Sequence, residues 1–220
     1  MPAIHARAML FDLDGTLADS GDGVIEAWKI FAERHGYQAE LFLERAHGRR
    51  TVEVMTEVAP ELDAAQATIE VESILADLGA TPTPGALELS SSMPPGSWAV
   101  VTSSTDVLAE SRFRPPTGLQ KPPVLVTAED VSVGKPDPAG YLLAALRLGV
   151  EPADCVVVED APAGVAAGKA AGMIVVAVTT THLFAELSAA DFVVPGPASL
   201  ALESAVHSNG GWLLTLTVRP

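Results

Sequence analysis

The sequence predicts a doubly wound, parallel α/β sheet interrupted by an inserted α-helical domain. Three observations predict it: short apolar runs that stop at acidic or hydroxyl residues, amphipathic stretches between them, and one strand-free helical stretch after the first run. The apolar runs are residues 6–11, 98–101, 124–126, 155–158, 174–178 and 192–194. They show little polar alternation, as strands covered on both faces do. Between them, Asp137-Pro138 opens a helix with Tyr141, Leu142, Ala145 and Leu146 on its apolar face, closed by Gly149. Residues 162–172 read as another helix, in which Gly164 and Gly168 permit close approach to the sheet.

The interruption covers residues 21–84. Val24, Ala27, Trp28 and Phe31 follow the i, i+3, i+4, i+7 spacing of a helix that Gly36 ends. Residues 51–58 and 65–78 are helical too, and Thr81-Pro82-Thr83-Pro84-Gly85 is a stiff non-helical return. Residues 1–20 and 85–220 therefore form the sheet-bearing core, and 21–84 the insert. Residues 208–220 are a glycine turn and a short alternating run, an extra strand or a loose tail.

Composition narrows the function. The 220 residues carry 13 basic against 28 acidic side chains, a net charge of −15, so phosphate backbones and anionic lipid are repelled and neither nucleic acid nor membrane is an expected partner. A single cysteine, Cys155, excludes an internal disulfide framework. No apolar run reaches the roughly 20 residues of a membrane span, and residues 1–11 lack a leader pattern. The expectation is a cytoplasmic protein, a monomer or weak homodimer.

Four clusters carry chemistry. Asp12-Leu13-Asp14-Gly15-Thr16 sets two carboxylates at the C-terminal end of the first strand, where doubly wound folds bind ligands. Two acids so close repel, and a divalent cation relieves the repulsion. Glu159-Asp160 follows a run of valines, Thr102-Ser103-Ser104 offers hydroxyls and amides after another strand, and Gly134-Lys135-Pro136 holds a lysine in a proline-fixed loop. Singly, each has an ordinary alternative: an acidic turn, a helix cap at Asp160, a Ser/Thr cap, a solvated lysine. Together, on the one edge that a parallel sheet shares, they suit a phosphoryl group bound with Mg²⁺. Oxygen ligands without cysteine or paired histidine favour this hard cation over zinc.

In this order the motifs resemble the haloacid dehalogenase superfamily of phosphohydrolases, over nearly the whole chain from Met9 to Val194. The resemblance implies a Rossmann-like core with a helical cap, Asp12 as nucleophile, Asp14 as general acid/base, and phosphate binding by Thr102, Ser103 and Lys135. It implies Mg²⁺ held by Asp12, the Asp14 main chain and Asp160, with Glu159 beside them. Within the superfamily, Trp98-Ala99-Val100-Val101-Thr102-Ser103 and Glu159-Asp160-Ala161-Pro162-Ala163-Gly164 look like the glycerol-phosphate and 2-deoxyglucose-6-phosphate phosphatases. The implied substrate is a small sugar or polyol phosphate. The similar stretch His47-Gly48-Arg49-Arg50-Thr51 makes Arg50 the candidate specificity residue, ahead of Arg49 and His47.

Two other activities compete. A β-phosphoglucomutase-like enzyme carries a cap histidine, and Val24 aligns with that position. A response-regulator-like phospho-acceptor uses a similar residue set, but it needs neither the insert nor this length.

Overall fold

The computed structural model describes residues 3–46, 48–208 and 210–219. The first apolar run, residues 6–11, is broken at Arg7: Ala6 ends one strand and Ala8–Phe11 form the next. Strand β1 (Ala3–Ala6) and strand β2 (Ala8–Phe11) flank a bend at Arg7 and join different sheets. Every residue of β2 is buried, and successive side chains face opposite sides of the sheet, each covered by its own core. After β2 come the two-residue β3 (Ala18–Asp19) and helices α1 (Gly21–His35), α2 (Glu40–Ala46), α3 (Thr51–Val58) and α4 (Ala64–Leu78). Strand β4 (Thr81–Pro82) returns antiparallel to β3, so the insert leaves and rejoins the core through one paired stem. The stiff return expected at residues 81–85 thus includes a strand.

The insert has its own core. Ala27, Trp28 and Phe31 of α1 face Phe42 of α2, Val54 and Met55 of α3, and Val71 and Leu75 of α4. The α1 face is the one the periodicity marks, with Ala27, Trp28 and Phe31 buried. Helix α2 is the one the sequence reading leaves out; with only Phe42 fully buried, it shows little periodic signal.

The chain continues through α5 (Ala86–Ser92), β5 (Trp98–Val101), α6 (Asp106–Ser111), β6 (Val124–Val126), α7 (Ala139–Leu148), β7 (Cys155–Glu159), α8 (Pro162–Ala170), β8 (Ile174–Val178) and β9 (Phe192–Val194). These strands and β2 form a six-stranded sheet in the order β6-β5-β2-β7-β8-β9, with every neighbouring pair parallel. The chain builds outward from β2 to β5 and β6, then crosses back to add β7, β8 and β9. The switch point lies at β2, so the C-terminal ends of β5, β2 and β7 border one crevice.

The two glycines singled out in α8 act as read. A Cβ at Gly164 would lie 1.7 Å from the Glu159 carboxylate, and one at Gly168 would lie 2.8 Å from Val175. Strand β10 (Leu200–Ser208) and strand β11 (Gly211–Val218) make a hairpin that pairs antiparallel with β1 in a three-stranded sheet. Gly211–Val218 of the tail are therefore the extra strand. Leu214, Leu216 and Val218 are buried in the core beneath the main sheet.

Candidate active site

The site is built at the ends of three adjacent strands. Asp12 follows β2, and its backbone N–H donates to Val158 O of β7 at 2.9 Å. Thr102 follows β5 and donates to Val126 O of β6 at 2.9 Å. Glu159 ends β7 and Asp160 follows it. The ladder thus places carboxylates far apart in sequence side by side: one oxygen each from Asp12, Glu159 and Asp160 lie within 4.8 Å of one another. All three residues are buried, with Asp12 at 6 % and Asp160 at 4 % exposure.

Lys135 closes this triangle. Its ammonium donates to Asp12 Oδ1 at 2.5 Å, to Glu159 Oε1 at 2.6 Å and to Val101 O at 3.1 Å. Burial alone would depress this amine, but the Asp12 and Glu159 charges outweigh burial and hold it above the usual lysine range. Glu159 also accepts from Tyr141 OH at 2.8 Å and, through Oε2, from the N–H groups of Asp160 and Ala161.

Burial drives the Asp12 carboxyl well above its ordinary range, against the pull of Lys135. Burial, then the Glu159 charge, raises Asp160 to about 7, against the Thr181 and Thr16 hydroxyls that donate to it. Clustered buried carboxylates that resist ionisation are the donor set that a hard divalent cation stabilises, so the residues fit Mg²⁺. Gly15 makes this fit sterically possible. At φ +91° it turns the Asp12–Thr16 loop, and a Cβ there would lie 2.3 Å from Asp160 Oδ2.

Asp14 lies across the crevice, accepting from Ser104 Oγ at 3.0 Å and from Arg112 Nε at 2.8 Å. Ser103 Oγ donates instead to Gly48 O in the insert at 2.9 Å. A cavity of about 800 Å³, counting its open mouth, connects these groups; Asp12, Asp14, Thr102, Ser103 and Asp160 line its core side. Val24, Trp28, Val54 and Leu75 line it from the insert.

The specificity candidates fare differently. Arg49 lines the cavity while pairing with Glu57 at 3.0 Å. Arg50 turns away from it: its Nη1 reaches Val131 O and Ser132 O on the core, and it lines a smaller neighbouring cavity with Lys135 and Tyr141. His47 lies outside the described residues. The sequence reading missed Arg112, Thr181 and Tyr141. Each lies on a helix end, a loop or a helix face with no local motif to mark it.

A parallel sheet with its acidic, lysine-closed crevice at the switch point, under a helical insert, defines a hydrolase class. Residues 6–172 match the haloacid dehalogenase-like hydrolase family, and the chain belongs to it. The chain is 41% identical over 198 residues to hexitol phosphatase A of Escherichia coli, covering 87% of this chain and 91% of that one. It is 35% identical over 234 residues to 2-deoxyglucose-6-phosphate phosphatase 2 of Saccharomyces cerevisiae, covering 95% and 94%. Among solved structures it resembles a hydrolase from Pseudomonas syringae, with a TM-score of 0.73 and 25% identity over 87% of this chain and 94% of that one. No helix among the described residues is long and apolar enough to cross a membrane.

Proposed function

We propose that the protein is a Mg²⁺-dependent phosphomonoesterase that hydrolyses a small sugar or polyol phosphate through an aspartyl-phosphate on Asp12. The observation that carries this reading is the convergence of Asp12, Asp160 and Lys135, buried together at the ends of neighbouring strands. The phosphatase names of the relatives support the substrate class. The nature of the lining agrees: an apolar insert side faces a polar core side, as suits a small ester with one anionic end.

An Asp12 carboxylate oxygen attacks the phosphorus and the ester P–O bond breaks. Asp14, held by Ser104 and Arg112, gives its proton to the departing alkoxide oxygen. Asp14 then takes a proton from water as that water attacks the phosphorus of the aspartyl-phosphate, which frees inorganic phosphate and restores Asp12. Lys135 and the Thr102 and Ser103 donors stabilise charge on the transferring group. When bound, Mg²⁺ held by Asp12, Asp160 and the Asp14 main-chain carbonyl would screen the repulsion between nucleophile and phosphate. Glu159, whose oxygens already accept from four protein donors, fixes Lys135 in place. Residues 21–84 act as a cap over the core, and the protein works as a monomer or weak homodimer in the cytoplasm.

Val24 lines the cavity from α1, where a mutase would present a histidine, so water and not a sugar hydroxyl accepts the phosphoryl group. A panel of phosphate esters, assayed with Mg²⁺ and with EDTA, tests this. Multiple turnover that needs the metal is expected, and Asp12→Asn lowers it by at least about 10³-fold. Undiminished hydrolysis by that variant, or one long-lived phosphorylation without turnover, overturns the proposal.

A further inference from the structure

Arg112 is 1 % exposed, which makes it one of the largest fully buried side chains of the protein. It sits just past the end of α6, and its guanidinium is committed on two sides. Nε donates to Asp14 Oδ1 at 2.8 Å, and Nη1 donates to Leu75 O in the last turn of α4 at 3.2 Å. Nη2 is buried and has no partner. A charged donor left unpaired in the interior is costly, and native structures leave few of them without a purpose. Arg112 lines the same cavity as Asp12, Asp14 and Asp160.

The surroundings of this donor define what it would bind. Asp14 balances its charge once it has given its proton to the leaving oxygen. The insert side of the cavity is mostly apolar; of its polar lining residues, Thr51 donates to Glu72, and Arg49, the other arginine lining the cavity, is paired with Glu57. A second anionic group would meet Asp14 with no uncommitted cation to offset it among the described residues that line the cavity. A neutral oxygen acceptor fits. In the planar guanidinium Nε and Nη2 share one edge, so the donor beside the one that holds Asp14 is the unpaired one.

We propose that Arg112 reads the alcohol half of the substrate, donating from Nη2 to a hydroxyl on the carbon next to the ester carbon. This rests on the phosphatase reading above, in which Asp14 serves the ester oxygen. Arg112 is then a specificity residue that also positions Asp14, and its bond to Leu75 O completes the donor set only when the insert lies over the core.

Paired substrates provide the test: a hexitol 1-phosphate and its 2-deoxy analogue, with 4-nitrophenyl phosphate as a third. Wild type is expected to favour the hydroxylated ester by about tenfold or more in kcat/KM, the scale of one charge-assisted hydrogen bond at a built site. Arg112→Met is expected to bring that ratio to near one. The ratio is the informative readout, because both esters need Asp14 equally and a displaced Asp14 cancels from it. If the methionine variant does not fold, Arg112→Lys supplies the same comparison with the charge retained and the fork removed. A wild-type enzyme indifferent to the hydroxyl, or a ratio unchanged in the variant, overturns the assignment and leaves Arg112 as a tie between insert and core. Failure of wild type to hydrolyse any of the three, 4-nitrophenyl phosphate included, overturns the phosphatase reading itself.

Discussion

Lys135 shows what a single side chain contributes here. It pairs with two carboxylates that the sheet forces together, and 6 % of its surface remains exposed. Removing one partner from a buried ionic group leaves the others uncompensated, which costs more than the pair itself is worth. Lys135→Met is therefore expected to destabilise the protein by about 3–5 kcal/mol in EDTA. Urea unfolding followed by circular dichroism measures this. A loss within the scatter of ordinary surface substitutions, about 0.5 kcal/mol, would mean that Asp12 and Glu159 are not both charged without it. At this scale the sequence was informative where chemistry sits on a local motif: Asp12 and Thr102 follow an apolar run directly, and Asp14 and Asp160 lie within three residues of one. Arg112 and Thr181 follow no such rule. Arg112 looks like one more surface arginine near the end of a short helix, and only the approach of α4 and of the Asp12–Thr16 loop makes it interior.

Among the elements, the helical insert depends on its aromatic cluster. Phe42 stacks on Trp28 at 4.8 Å between ring centroids and meets Phe31 edge-on at 5.7 Å. Helix α2 has seven residues, too few to be stable alone, so this ring anchors it. Phe42→Ala is expected to cost about 3–5 kcal/mol, the usual range for a phenylalanine deleted from a packed core. Thermal and urea unfolding of the full chain check the value, and a loss below about 1 kcal/mol would mean that α2 is held by other contacts. The same weak periodicity explains why α2, α5 and α6 escape sequence reading, whereas α1, α3 and α7 do not. Short helices bury few positions, and pattern needs length. The first strand failed differently. An apolar run over residues 6–11 cannot reveal that a bend at Arg7 separates Ala6, the end of β1, from β2 in another sheet.

In the molecule as a whole, insert and core meet through polar groups as well as apolar ones. Glu72 of α4 accepts from Thr51 within the insert and from the Thr105 amide and hydroxyl on the core. Burial raises its pKa above the ordinary value of 4.5, and the nearby Asp14 charge adds to this, against the hydrogen bonds from Thr105 and Thr51. For a carboxyl raised in the folded state, the stabilising contribution is complete below its unfolded value. It is lost as pH rises through the folded one. Wild type should therefore lose stability relative to Glu72→Gln as pH climbs from about 4.5 into the neutral range. Parallel melting curves of the two proteins from acidic to neutral pH test the sign, and a pH-independent difference would contradict it.

What the amino-acid order determined by itself was the architecture and the chemical inventory. Unbroken apolar runs require strands covered on both faces, and the residues that end them are set by neighbours in the chain. Tertiary structure decided which of those residues meet, which way Arg50 and Ser103 turn, and that Arg112 is buried against Asp14. Those outcomes depend on contacts between residues as far apart as Thr16 and Asp160, 144 positions, and burial at such a distance has no signature in local sequence.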